Sequence, residues 1–135
     1  DVRADQVIPN IIDEIPILCI AAAFAEGSTM LRGLKELTVK ESNRLAAICD
    51  GFDAIGIKYF SDRESSIKLY GNYNEDINGA EIESYGDHRI AMSFLIAGMR
   101  SKNGITVKNC KNIETSFPNF KDIMNSIGMK INEKD

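Results

Sequence analysis

Three short stretches of the chain set acids and bases side by side near points where a helix should begin: Asp13-Glu14, Lys40-Glu41 with Arg44, and Asp87-His88-Arg89. Lys40 and Arg44 are four apart, so both lie on one face if the helix starts early, with Glu41 roughly a quarter-turn away. Cations near the positive end of a helix oppose its dipole, and local stability does not select them. A site that receives an anion does select them, because backbone N–H groups and basic side chains then converge on one negative group. Arginine suits bidentate recognition of a planar oxyanion, while lysine acts as a point charge. Asp13 and Glu41 add two carboxylates for proton transfer. The chemistry these residue types allow together is proton transfer on a substrate that carries phosphate or carboxylate. Plainer readings stay open at this point. Asp13 and Asp87 also suit helix caps, Ser42 and Ser116 suit caps better than nucleophiles, and His88 suits a surface or supporting place better than a general base. Lys40-Glu41 alone also reads as a solvated first turn.

The elements that must carry these residues follow from the apolar pattern. Asp13-Glu14-Ile15-Pro16 reads as a helix start, with acids in the first turn and proline where its missing N–H does no harm. Ile17 to Ala25 is apolar nearly all round, which predicts a helix buried on most sides and stopped at Gly27. A strand is expected from Ser28 to Leu31, and another over Val2 to Ile8. A strand should end before Lys40, and a helix should begin in Lys40-Glu41-Ser42-Asn43-Arg44. Leu45, Ile48, Cys49, Phe52 and Ile55 continue that helix at its natural spacing, and Gly56 closes it. Ile57 to Phe60 and Ser66 to Tyr70 form a hairpin pattern, and Gly71 to Gly79 reads as a loop. Asp87-His88-Arg89 then opens a second apolar helix, Ile90 to Ala97, followed by a strand over Gly104 to Val107. Ser116-Phe117-Pro118 should cap a last amphipathic helix with Phe120, Ile123, Met124 and Ile127 inward, closed by Gly128 before a strand from Met129 to Ile131.

The succession of apolar helix, strand, amphipathic helix and strand thus occurs twice. Asp13 and Asp87, Gly27 and Gly104, Ser42 and Ser116, and Gly56 and Gly128 are 72 to 77 residues apart. An internal duplication of an α/β unit is expected, in units of about 1–79 and 80–135 within a single partial domain, the second unit incomplete. Equivalent helix starts in such a repeat share one edge, so the three charged stretches are expected to face a common cleft.

Composition narrows the function classes. A chain of 135 residues, 44% hydrophobic and 27% charged, suits a compact globular domain with its own core. A net charge of −4 gives no global positive field, so no nucleic-acid partner is expected. No apolar run is long enough to span a bilayer, so no membrane partner is expected either. The 3 cysteines, Cys19, Cys49 and Cys110, lack CxxC spacing and point to reduced thiols in the cytoplasm. One histidine cannot build a His-rich metal site, and the chain has no Walker loop or GxGxxG. The start at Asp1, without Met, suggests part of a longer protein.

Four stretches, Asp13-Glu14-Ile15-Pro16, Lys40-Glu41-Ser42-Asn43-Arg44, Asp87-His88-Arg89-Ile90-Ala91-Met92-Ser93 and Thr115-Ser116-Phe117-Pro118-Asn119-Phe120, give the chain a strong resemblance to one family. It is similar to the C-terminal part of the 5-enolpyruvylshikimate-3-phosphate synthases (3-phosphoshikimate 1-carboxyvinyltransferases), over about Ile12 to Ile131. The resemblance implies an inside-out α/β fold of repeated βαβαββ units, with buried helices, sheets outside, and helix N-termini facing an interdomain cleft. It implies transfer of the enolpyruvyl group of phosphoenolpyruvate to the 5-hydroxyl of shikimate 3-phosphate, by addition then elimination, with release of phosphate. No metal or organic cofactor is implied. By motif, Asp13 resembles the carboxylate that accepts the 5-hydroxyl proton and binds shikimate 3-phosphate, and Glu41 the acid that protonates the methylene carbon. Lys40 resembles a shikimate 3-phosphate ligand, Arg44 and Arg89 resemble phosphoenolpyruvate ligands, and Asp87 and His88 stand behind them. Two positions depart from the pattern. Asn43 stands where many members have Asp, and Thr115-Ser116 stands where some carry a further phosphoenolpyruvate-binding lysine.

The N-terminal remainder of such an enzyme would supply much of both substrate sites, so the isolated chain is expected to be inactive and the full-length parent monomeric. Two other readings compete. One is a fragment of a UDP-N-acetylglucosamine 1-carboxyvinyltransferase, which shares fold and donor. The other is a non-catalytic α/β repeat module whose charged caps serve stability alone.

Overall fold

The computed structural model describes residues 8–71 and 75–134. Three helices form the centre: α2 (Ile15–Ala23), α3 (Arg44–Ile55) and α4 (His88–Ala97). They touch one another, and each also rests on a sheet: α2 on β3, α3 on β2 and β4, α4 on β5. The first sheet has the order β1-β3-β2, antiparallel throughout, from β1 (Ser28–Arg32), β2 (Tyr59–Ser61) and β3 (Ser66–Tyr70). The second pairs β4 (Ala80–Glu83) with β5 (Ile105–Lys108) in parallel, Ala80 opposite Ile105 and Glu83 opposite Lys108. The helix α4 makes the crossover between these two parallel strands, as a parallel pair requires. The α/β class expected from the sequence is the one observed.

Apolar residues on the three helices build one core, which includes Ile15, Cys19, Ile48, Phe52, Ile90 and Phe94. Proline opens α2 where its N–H has no intrahelical partner. Gly56 ends α3 at φ 78°, and its N–H bonds back to the Phe52 carbonyl. Where α3 crosses α4, a Cβ on Gly51 would lie 2.2 Å from the edge of the Phe94 ring. That ring is fully buried and meets Phe52 edge-on, with centroids 5.8 Å apart, so it has little room to yield. Gly51→Ala is therefore expected to destabilise the chain by about 1–2 kcal/mol, overpacking outweighing the gain in helix propensity. Urea unfolding checks the sign, and a stabilised variant would show that the crossing is looser.

Several expected elements differ. The strand expected before Lys40 is a 3-10 helix, Lys35–Val39, held by Leu34 and Leu37, three apart and both fully buried. The helix after it starts at Arg44, because the Asn43 side chain accepts from the Ala46 N–H at 3.1 Å and caps it there. Lys40, Glu41 and Ser42 therefore precede the helix. Ile8 lies in a short helix, α1 (Ile8–Ile11), instead of ending a strand, and residues 2–7 of that expected strand lie outside the described residues. Ser116 ends α5 (Asn112–Ser116) and caps nothing; Asn119, at φ 64°, precedes α6 (Phe120–Ser126). On this seven-residue helix Phe120 is buried and Ile123 exposed, and Ile127, just past its end, is exposed too. Met129 to Ile131 is not a strand; Asn125 brackets Ile131, donating to its carbonyl at 3.1 Å and accepting from its N–H at 2.7 Å. The strand β4 had no counterpart in the sequence reading.

Candidate active site

The heads of the three central helices bring the charged residues to one place. Asp13 lies in a 3-10 turn (Ile12–Glu14) that runs straight into α2, with no capping bond from its side chain. Lys40, Glu41 and Ser42 lie on the bend between the second 3-10 helix and α3. Asp87 caps α4, its Oδ1 accepting from the N–H groups of Arg89 at 3.0 Å and Ile90 at 3.4 Å.

Arg44 is the hub. Its side chain is 2% exposed, and each guanidinium nitrogen donates to a different carboxylate. Nε reaches Asp87 Oδ2 at 2.8 Å, Nη1 reaches Asp13 Oδ1 at 3.0 Å, and Nη2 reaches Glu41 Oε2 at 2.6 Å. Asp87 is fully buried and takes a further hydrogen bond from the Ser42 hydroxyl at 2.8 Å. Asp13 and Glu41 are about half exposed and form the solvent side of the cluster. Lys40 Nζ lies between Glu36 at 3.2 Å and Asp13 at 3.4 Å. Arg89 pairs with Glu14 at 2.7 Å, which fastens the head of α4 beside Asp13. No buried side-chain polar atom among the described residues lacks a partner.

The electrostatics follow from these contacts. Burial works against ionising Asp87, but the hydrogen bonds from Arg44 and Ser42 prevail and hold its carboxyl below the usual range. Asp13 follows the same balance: burial raises it, Lys40 and Arg44 together lower it further, and the net shift is downward. A carboxylate held this way is ready to accept a proton, yet is a weak base until a cation turns away. Glu36 first, then Asp13, hold the Lys40 ammonium above its ordinary value. Among the described residues no three His, Cys, Asp or Glu side chains are arranged to hold a metal ion; Asp13, Glu41 and Asp87 instead converge on Arg44.

The structure thus brings together Asp13, Lys40, Glu41, Arg44 and Asp87, with Arg89 adjacent through Glu14. His88, the first residue of α4, makes no hydrogen bond or ion pair among the described residues, and Thr115 lies exposed at the end of α5. Glu36 and Ser42 are members of the cluster that the sequence reading did not assign to it. The i, i+4 spacing of Glu36 and Lys40 was a signal for the first; nothing local marks Ser42 as a partner of Asp87, 45 residues on.

Comparison with known proteins agrees with the motifs. The family model of EPSP synthase (3-phosphoshikimate 1-carboxyvinyltransferase) matches residues 3–124. The 3-phosphoshikimate 1-carboxyvinyltransferase of Coxiella burnetii is 46% identical over 131 residues, covering 97% of this chain and 29% of the relative. That of Magnetococcus marinus is 43% identical over 127 residues, 94% of this chain and 28% of the relative. Among solved structures, an EPSP synthase from Acinetobacter baumannii superposes with a TM-score of 0.88 at 41% identity, over 95% of this chain and 30% of that one. The chain therefore spans just under a third of the length of the relatives it matches. No helix among the described residues is long and apolar enough to cross a membrane. With family model, sequence relatives and backbone in agreement over nearly the whole chain, it belongs to the EPSP synthase family.

Proposed function

We propose that this chain is the C-terminal part of an enolpyruvyl transferase, acting in the cytoplasm as a monomer together with its N-terminal remainder. The enzyme moves the enolpyruvyl group of phosphoenolpyruvate to the 5-hydroxyl of shikimate 3-phosphate, a step towards chorismate and the aromatic amino acids. The chain supplies two units of the repeated fold, about 1–79 and 80–135. The observation that carries this reading is the pair of half-exposed carboxylates, Asp13 and Glu41, bridged by one buried guanidinium.

In the addition step Asp13 takes the proton of the 5-hydroxyl as the oxygen attacks the central carbon of phosphoenolpyruvate. Glu41 gives a proton to the methylene carbon, which becomes a methyl group. In the elimination step a methyl proton is removed, the bond to the phosphate oxygen breaks, and phosphate leaves. Arg44 and Arg89 hold the carboxylate and phosphate of phosphoenolpyruvate, and Lys40 holds shikimate 3-phosphate. Asp87 supports the Arg44 guanidinium from behind through its bond to Nε. The test is phosphate release. The full-length enzyme is expected to release phosphate only when both substrates are present, and the isolated chain to release none. Turnover with UDP-N-acetylglucosamine in place of shikimate 3-phosphate, or no turnover with either acceptor, would overturn the reading.

A further inference from the structure

We infer that Glu41 occupies the anion position on Arg44 when the site is empty, so that an oxyanion binds by displacing it and Glu41 sets which anions are admitted. This rests on the reading above, in which Arg44 receives an anionic group of the substrate. At 2% exposure Arg44 offers an arriving molecule almost no surface, and all three of its nitrogens already face a carboxylate. One carboxylate must give way, and the three are not held equally. Asp87 is fully buried, caps α4 and binds Ser42 as well. Asp13 is shared between Arg44 and Lys40. Glu41 is 56% exposed, lies on a bend outside any helix, and has Arg44 as its one partner among the described residues. It is the carboxylate that leaves at least cost.

The charges around the cluster point the same way. Asp13 and Glu14 face it from the turn before α2, Glu36 and Lys40 from the second 3-10 helix and its end, Glu41 from the bend, Arg44 from α3, and Asp87 and Arg89 from α4. Carboxylates outnumber cations five to three, so the empty site has no surplus positive charge to draw in a weak anion. A tethered carboxylate also competes at high effective concentration. A monoanion from solvent offers Arg44 nothing that Glu41 does not already give. A phosphorylated carboxylate does, because it can engage Arg44 and Arg89 together.

The experiment uses the full-length enzyme without shikimate 3-phosphate, so that nothing turns over. Phosphoenolpyruvate and pyruvate are each titrated by calorimetry into wild type, Glu41→Gln and Glu36→Gln. Glu41→Gln is expected to bind phosphoenolpyruvate about tenfold more tightly, and to narrow the ratio of phosphoenolpyruvate to pyruvate affinity. Glu36→Gln removes the same charge from the same mouth without freeing Arg44, and should change affinity less than twofold. Equal gains in both variants would mean bulk charge alone and overturn the inference, as would an unchanged ratio or weaker binding in Glu41→Gln. Phosphoenolpyruvate bound by none of the three proteins would remove the reading of the site itself, and the inference with it. Glu41→Ala serves as a second variant if Glu41→Gln does not fold.

Discussion

Asp87→Ala is expected to lower the stability of the chain by about 3–5 kcal/mol, the loss typical of breaking a buried ion pair from one side. The carboxylate is fully buried and serves three elements at once. It binds Arg44 Nε from α3, accepts from Ser42 on the bend before α3, and caps α4 through the N–H groups of Arg89 and Ile90. Alanine would leave Ser42 and two helix N–H groups short of a partner. Arg44 would keep Asp13 and Glu41, but both are half exposed and neither reaches the buried side of the guanidinium. Asp87→Asn should cost less, since its amide oxygen can still cap α4 while the charge is lost. The same carboxylate gives an acid limb. Its folded-state affinity for protons is reduced, so its contribution is fully present above the ordinary aspartate range and is lost as pH falls through and below about 4. Asp13 is shifted in the same direction and adds to it. Urea midpoints between pH 7 and 3 should therefore fall more steeply for wild type than for Asp87→Asn. Parallel slopes would mean that the Asp87 charge does not stabilise the fold.

What the sequence revealed and what it hid divide along a physical line. The central helices were legible because apolar residues leave a local record, a run such as Ile17 to Ala25 or the spacing of Leu45, Ile48, Phe52 and Ile55. The run overstated burial: Cys19, Ile20 and Ala23 are buried, but Leu18, Ala21 and Ala25 are exposed, so the helix turns one side to the core. Helix starts were harder, since several polar residues in a row compete for one cap. Ser42 and Asn43 are both good caps by type, and only the bond from the Ala46 N–H shows that Asn43 takes the role while Ser42 turns to Asp87. Ser116 failed for a different reason: it ends α5, and a separate turn with Asn119 at positive φ leads into α6. Strand β4 alternates Ala80-Glu81-Ile82-Glu83, but four residues after a long polar loop are too few to stand out without β5 beside them. Of the site, the residues were legible and the hub was not. Arg44 read as an anion-binding cation at a helix start, and nothing local showed that it is buried against carboxylates 31 and 43 residues away in sequence. Such a contact leaves no periodic trace. The expectation that the charged stretches face one place rested on the repeat, and the links through Arg44 and the Arg89–Glu14 pair fit it.

Glu41→Ala in the full-length enzyme is expected to lower kcat by about 10²–10⁴-fold, the range for loss of a general acid. Its stability should change by less than about 1 kcal/mol, because the pair it breaks is more than half exposed on the Glu41 side. The two effects separate because Arg44 keeps Asp13 and Asp87 and stays in place. A residue that merely held the fold would lose stability and activity together, whereas one that only bound substrate would raise KM and spare kcat. Glu41 is placed to do neither. It is tied to Arg44, so its removal frees the guanidinium for phosphoenolpyruvate while taking away the proton that the methylene carbon needs. The expected signature is thus a slower enzyme that holds its donor at least as tightly as wild type. Steady-state kinetics with both substrates, set beside calorimetry with phosphoenolpyruvate alone, would display it. A variant with unimpaired kcat would move the acid elsewhere and leave Glu41 as a guard of Arg44 alone.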